Sequence, residues 1–259
     1  LHSAIDAGKA GEMQGLFPEG EFFTLVLTGL ADAQAGRLPQ AEAMLAASGR
    51  DEIADRFGTI KALEHGTFYR GWRLLLSTEI ASRPAAEPPA ELQTEADAIE
   101  AALLADRKGV PESYPSGRWP CDAVVAMAAV VRAHALADRS TATDAWVRKL
   151  DRIRDPATGL LPHRLDAGST SPQGSSQAII QSFWPDIVDS PAAEWKRFKD
   201  AFVTTEFGLV GVREHPIGAS GSSNIDSGPL LLGVSPSASA VGLAAARANG
   251  DAGLADDLD

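Results

Sequence analysis

The sequence predicts an all-α fold, an (α/α) toroid of helical hairpins with short β segments in its loops, and three observations carry that reading. Apolar or small-residue helical stretches alternate with amphipathic ones along the chain. Long loops rich in Gly, Ser and Pro fall ahead of the apolar members. Segments with the two-residue alternation of a strand are few. About five hairpins can be counted, against the six of a closed toroid. The chain begins with Leu1 and stops at Asp259 just after a helical pattern, so 1–259 is read as one toroid domain, processed or partial. A plain helical solenoid competes, but the hairpins lack the mutual sequence similarity of solenoid repeats.

In order, Leu1 to Leu16 reads as a helix tail and loop, and Phe17 to Gly20 as a turn. Glu21 to Gln34 is an apolar helix whose Gly29, Ala31 and Ala33 let neighbours approach closely. Leu38 to Ala54 is a more polar outer helix. Gly58 to Ser82 is helical, with Phe68, Trp72, Leu75 and Leu76 on one face. Arg83 to Ala90, with three prolines, is a turn, and Glu91 to Arg107 an amphipathic outer helix. The stretch YPSGRWPCDAVVAMAAVV, Tyr114 to Val131, is the centre of the reading. Pro120 opens a helix at a position where its missing N–H costs nothing, and the helix runs to about Ala137. Asp122 sits in the first turn, where the helix dipole favours an anion. Ala123 to Val131 carries no charge, which predicts a helix wrapped on most sides. Thr143 to Arg154 is an outer helix, acidic at its start and basic at its end. Asp155 to Asp166 is a tight turn and extended segment, and Gly168 to Gly174 a loop. Ser175 to Phe183 and Pro191 to Thr204 form the next helix pair. Phe207 to His215 is a short strand, Ile217 to Ser227 a Gly/Ser loop, and Gly228 to Asn249 a small-residue helix ending at Gly250.

A formal charge of −12 and a pI near 4.8 argue against a nucleic-acid backbone as partner. No stretch reaches the ~18–20 uninterrupted apolar residues of a membrane span. The single cysteine, Cys121, excludes an internal disulfide and a multi-cysteine zinc site. The histidines are scattered with no HxH or HExxH spacing, and P-loop, GxGxxG and GxSxG motifs are absent, so no metal and no cofactor is expected. The expected partner is a small molecule or glycan. Composition leaves oligomeric state and compartment open.

By hairpin logic the loops gather at one end and bring candidate site residues together. Asp122 beside Tyr114 and Trp119 could be a general acid with a raised pKa, or a plain N-terminal cap. His163, next to Arg164, can donate and accept a proton, or close a turn. Ser175, Ser176 and Gln177 open a helix whose free N–H groups could hold an anion or sugar hydroxyl; N-capping by Ser175 is the simpler account. Glu214, His215 and Asp226 could form an acid/base pair or a structural hydrogen-bond cluster. Glu19, Tyr69 and Trp184 complete the candidate binding residues. Glu64–His65 is read as lying within a helix, with His65 in the core, and His134 and His2 as structural. Cys121 could have a lowered pKa in a helix first turn, but burial is the commoner state of a free cysteine.

The segments FPEGEFFTLVLTGLA, HGTFYRGWRLLL, SYPSGRWPCDAVVAMAA, DPATGLLPHRLD, GSSQAII and IDSGPLLLGVSPSAS, in that order, resemble the linalool dehydratase/isomerase-like family across most of Phe17 to Gly250. More distantly the chain is similar to the six-hairpin glycosidases, where a DPxTGL turn before a His also occurs. The resemblance implies an (α/α) toroid. Its named enzyme adds and removes water at a terpene alcohol with acid/base residues that include two cysteines. Only Cys121 is present here, so that part of the mechanism does not carry over intact. Members without an assigned reaction are many, and membrane association occurs among them.

Three functions are therefore expected in turn. The first is carboxylate/His acid–base chemistry on a polyhydroxylated, glycan-like substrate. Asp122 or Asp226 would be the acid, His163 or Glu214 the base, and Tyr114, Trp119 and Trp184 a stacking floor. The second is a hydro-lyase or isomerase on a small or terpenoid alcohol, with Cys121 helping to handle the proton. The third is a non-catalytic helical binding scaffold. An open aromatic groove with paired carboxylates favours the first, a closed apolar pocket touching Cys121 the second, and salt-bridged acids remote from any cavity the third.

Overall fold

The computed structural model describes residues 2–15, 19–84, 89, 91–166 and 171–259. The chain is mostly helical, with one two-stranded antiparallel sheet. The helices are α1 His2–Asp6, α2 Gly20–Gln34, α3 Leu38–Ser48, α4 Asp51–Ala54, α5 Gly66–Ala81 and α6 Leu92–Ala105. After these come α7 Pro120–Ala135, α8 Thr143–Leu150, α9 Gly174–Phe183 and α10 Ala192–Phe202. Strands β1 Val203–Glu206 and β2 Leu209–Val212 pair in register Val203 to Val212, and α11 Pro236–Ala248 and α12 Ala252–Leu258 end the chain. No helix among the described residues is long and apolar enough to cross a membrane.

Helices α2, α5, α7, α9 and α11 form a row in which each packs on the next, while α3, α6, α10 and α12 lie against α2, α5 and α7, α9, and α11 respectively. The charge-free run predicted to be wrapped is wrapped: every side chain from Ala123 to Val130 is fully buried. Small residues set these contacts. A Cβ at Gly71 of α5 would stand 2.8 Å from the Ala126 Cβ of α7, and one at Gly29 of α2 would stand 2.8 Å from a Leu76 methyl. The buried residues fall into two clusters. The larger surrounds α2, α5 and α7. The smaller joins Leu160, Trp195, Phe198, Phe202, Val212 and the inner face of α11.

Four element boundaries differ from expectation, each for a backbone reason. The helix expected over Leu38 to Ala54 splits into α3 and α4 at Gly49–Arg50, where Arg73 donates to Leu45 O (3.3 Å) and Ser48 Oγ (3.1 Å) and ties off the last turn of α3. The helix expected from Gly58 starts only at Gly66, because Gly58, His65 and Gly66 all have left-handed φ (67°, 62° and 80°). Glu64 and His65 therefore precede α5, and His65 Nδ1 pairs with Gly58 O (3.2 Å). The helix expected from Gly228 starts at Pro236: Leu232 and Gly233 are left-handed, and Ser235 caps the Ala238 N–H (3.0 Å). Thr204 belongs to β1 rather than to the preceding helix, and the expected strand over Phe207 to His215 narrows to β2, with Phe207 and Gly208 forming the hairpin turn. The expected turn at Phe17–Pro18, most of the one at Arg83 to Ala90, and the start of the loop at Gly168 to Gly174 lie outside the described residues.

The α5–α7 contact yields a direct test. Gly71→Val drives a branched side chain into the Ala126 backbone and lowers unfolding free energy by about 3 kcal/mol, read as a lower urea midpoint at unchanged slope. An unchanged midpoint would show that α5 and α7 can separate at no cost.

Candidate active site

The N-terminal ends of the five helices in the row meet at one cavity of about 340 Å³. Glu19 stands just before α2 and Phe23 lies in it, Phe68 and Trp72 come from α5, Cys121 and Asp122 from α7, Ser175, Ser176 and Ile179 from α9, and Ser237 and Val241 from α11. Tyr114, Trp119, His163, Ile225 and Asp226 reach it from loops. Half of the lining residues are aromatic or aliphatic, and the polar groups are acids, hydroxyls, indole N–H groups, one thiol and one imidazole. Among the described residues, no lysine or arginine lines it.

Local sequence explains how each polar group arrives there. Trp119 and Pro120 enter α7 with the Trp119 backbone extended, so that Asp122 lies one turn in, buried. Its carboxylate accepts from the Ser113 hydroxyl and faces the Cys121 Sγ at 3.7 Å. In DPATGLLPHRLD, Asp155 Oδ2 accepts from Thr158 N (2.8 Å) and Thr158 Oγ1 (2.7 Å), closing an Asx turn that feeds LPHRL toward the cavity. Leu165 N then donates to Arg118 O (3.1 Å), clamping this segment beside the Tyr114–Trp119 loop. His163 emerges with Nδ1 paired to Ser176 Oγ and Nε2 4.0 Å from Asp226 Oδ2. Asp226 is held from behind: Ser227 N donates to Asn224 Oδ1 (2.8 Å) and Ser237 Oγ to Asp226 O.

Desolvation dominates the electrostatics. Burial pushes the Asp122 carboxyl up to about 7, with the nearby Asp226 charge adding and the Ser113 hydrogen bond opposing. Burial lowers His163 to about 4, assisted by the Arg164 charge, so its imidazole is neutral at physiological pH. The Cys121 thiol is held well above its ordinary value by burial and by the Asp122 and Asp226 carboxylates, so it stays protonated rather than becoming a nucleophilic thiolate. Tyr114 is likewise raised by burial, by Asp122 and by Glu19, to which its hydroxyl donates. Asp226 is raised by burial and by Glu19, but its side chain keeps 52% of its exposure, and we treat it as a rim carboxylate that water still reaches.

Eight of the residues singled out from the sequence line this cavity: Glu19, Tyr114, Trp119, Asp122, His163, Ser175, Ser176 and Asp226. Six do not, each for a visible reason. Glu214 is fully buried and accepts from Ser175 N (3.1 Å) and Ser175 Oγ (2.9 Å). The α9 N-terminus is thus capped by Glu214, not by Ser175 as the simpler account had it. His215 Nε2 pairs with Ser222 O (3.1 Å). Gln177 Nε2 donates to Leu161 O (2.7 Å). Tyr69 is on another face of α5, with its hydroxyl toward Ser48 O (3.4 Å), and lines a second cavity with Arg70 and Arg73. Trp184 is a core residue under the Arg154 guanidinium (5.6 Å), not a stacking floor. Arg164 lies over the Trp119 ring at 4.5 Å and is paired to Asp166 (2.9 Å).

Sequence reasoning missed Phe23, Ile179, Ile225, Ser237 and Val241, and read Phe68 and Trp72 as core alone. Their apolar spacing is that of any buried helix face. The histidines read as structural are so placed: His134 is fully buried between Thr141 Oγ1 (3.0 Å) and Asp97 Oδ1 (3.2 Å), and His2 pairs with Asp32 (3.0 Å). Asp97, Glu100 and His134 are the one grouping of metal-ligating types among the described residues. Asp97 there is paired to Arg139 (2.6 Å) and Glu100 accepts the Ala142 N–H (2.8 Å), so both acids are already engaged. No protein-family model matches the chain, and no curated protein matches it.

Asp122 makes stability depend on pH. Its folded value of about 7 lies above the ordinary 3.8, so between these values the folded chain keeps a proton that the unfolded chain has lost. Its contribution therefore falls as pH rises from about 4 to about 7 and is level above that. Asp122→Asn removes this slope, so the variant gains on the wild type by a few kcal/mol between those pH values. Urea unfolding at each pH measures it; a constant difference would mean that the carboxyl titrates normally.

Proposed function

We propose that this chain is an acid–base enzyme acting on a small, mostly apolar alcohol, a hydro-lyase or isomerase that removes or relocates water. The observation that carries this is a buried carboxyl, Asp122, that still holds its proton near neutral pH and lines the same largely apolar cavity as a neutral imidazole, His163. Asp122 in its acid form donates a proton to the substrate hydroxyl, which leaves as water. His163 Nε2 takes the proton from the adjacent carbon, and the electrons of that C–H bond form the alkene. When Asp122 ionises, the new carboxylate in the same low-dielectric cavity strengthens His163 as a base. Proton return from His163 to Asp122 restores the starting state. Ser113 and Ser176 orient the acid and the imidazole respectively, and the neutral Cys121 thiol holds Asp122 rather than attacking.

The row of α2, α5, α7, α9 and α11 with outer helices behind it supports an arc of an (α/α) toroid. The ordered segments resembling the linalool dehydratase/isomerase-like family fall on the same walls, which supports membership of that family. The glycan-directed reading has less support. Its expected platform residue Trp184 is in the core, and a polyhydroxylated ligand would leave hydroxyls unpaired against Phe23, Phe68 and Ile179. The non-catalytic binding scaffold has less support as well, since it was to show salt-bridged acids remote from any cavity and Asp122 and Asp226 line one.

The test is incubation with a panel of small tertiary and allylic alcohols, with alkene detected by gas chromatography. Turnover falls as pH rises through about 7, where Asp122 loses its proton, and below about 4, where His163 gains one. Asp122→Asn lowers turnover by about 10²–10⁴-fold. Turnover of glycans that depends on Asp122, or full activity in Asp122→Asn, would overturn the assignment.

A further inference from the structure

Five aromatic rings lie on the cavity wall, and they touch in series. Trp72 meets Phe23 at 4.9 Å between centroids, Phe23 meets Phe68 at 5.6 Å, Phe68 meets Tyr114 at 5.4 Å, and Tyr114 meets Trp119 at 5.1 Å. The carboxylates of Glu19, Asp122 and Asp226 share this wall, with no lysine or arginine among the described lining residues to neutralise them. A neutral alcohol needs one acid and one base. It has no use for three carboxylates and a continuous aromatic arc. Ring faces attract a positive charge through their quadrupole, and most strongly when the charge is desolvated. Trp119 already accepts the Arg164 guanidinium at 4.5 Å, so this indole is placed to take a cation.

Two opposing fields have to be beaten. The Arg164 guanidinium, whose charge lowers His163, is offset by its pairing with Asp166 (2.9 Å). The five helix N-termini carry partial positive charge toward the same space and alone would favour an anion. Each is worth a fraction of a charge, and its effect falls off within the first turn. The carboxylates lining the cavity are full formal charges, so the cation wins wherever they are ionised.

We infer that this cavity selects an organic cation, a positive centre within an apolar body. The inference rests on the same cavity as the catalytic reading and sharpens it, since a skeleton whose protonated hydroxyl leaves as water gains positive charge at that carbon. It also stands apart from catalysis, because a stable quaternary ammonium should bind where no reaction occurs.

The experiment uses the full chain and three probes of nearly one shape: choline, 3,3-dimethylbutan-1-ol as its neutral isostere, and 3,3-dimethylbutanoate as an anion. Calorimetry and tryptophan fluorescence at pH 8 read the affinities. Choline is expected to bind at least tenfold more tightly than the neutral alcohol, with the anion weakest. Asp226→Asn at the exposed rim is expected to weaken choline at least threefold and leave the alcohol unchanged. Phe68→Leu removes a ring from the wall and is expected to weaken choline by a larger factor than it weakens the alcohol; should it not fold, Asp226→Asn decides. A choline-to-alcohol ratio below ten, including no choline binding at all, or tighter binding of the anion, overturns the inference. These are equilibrium measurements, so a chain that dehydrates alcohols without cation preference loses only this inference. A chain that prefers cations but turns over no alcohol loses only the catalytic reading.

Discussion

The burial of α7 is the constraint on which the rest depends. Eight consecutive residues with no exposed surface force its neighbours to pack directly on its backbone, and only small side chains permit that approach. Ala126 meets Gly71 of α5 with no room for a methyl group between them. With the axis of α7 fixed in this way, its first turn cannot move independently. Cys121 and Asp122 are therefore set by core packing rather than by a loop. Side chains on rigid elements hold their geometry better than side chains on flexible ones.

The same placement creates an electrostatic conflict. An acid in the first turn is favoured by the helix dipole, which lowers its pKa, while removal from water raises it. At Asp122 burial wins, and the neighbouring Asp226 charge works in the same direction. His163 undergoes the mirror-image change, since burial opposes its charged form. Two groups that would both be ionised in water at mildly acidic pH are thus both neutral on the wall of one cavity.

Much of this was legible in the sequence, and the rest was not for identifiable reasons. The charge-free run after Trp119–Pro120 announced a buried helix with an acid at its mouth, and the Gly/Ser/Pro loops announced the end at which the cavity lies. The boundaries at Gly66 and Pro236 were hidden because left-handed residues such as His65 and Leu232 carry no sequence signal of their kind. Glu214 reads as an acid near a His. Only the fold reveals that it spends both oxygens on the backbone and hydroxyl of Ser175. Phe23 and Phe68 obey core periodicity, and a cavity is a gap in packing that periodicity does not encode.

The two clusters of buried residues meet at the cavity. Phe68, Trp72 and Cys121 belong to the larger one, and Val241 packs on the smaller. On those sides the width of the chamber is the spacing between two cores. An occupant that touches both walls serves as their missing interior, and the chamber's selectivity for size becomes a property of how far the halves of the molecule will tolerate being pried apart.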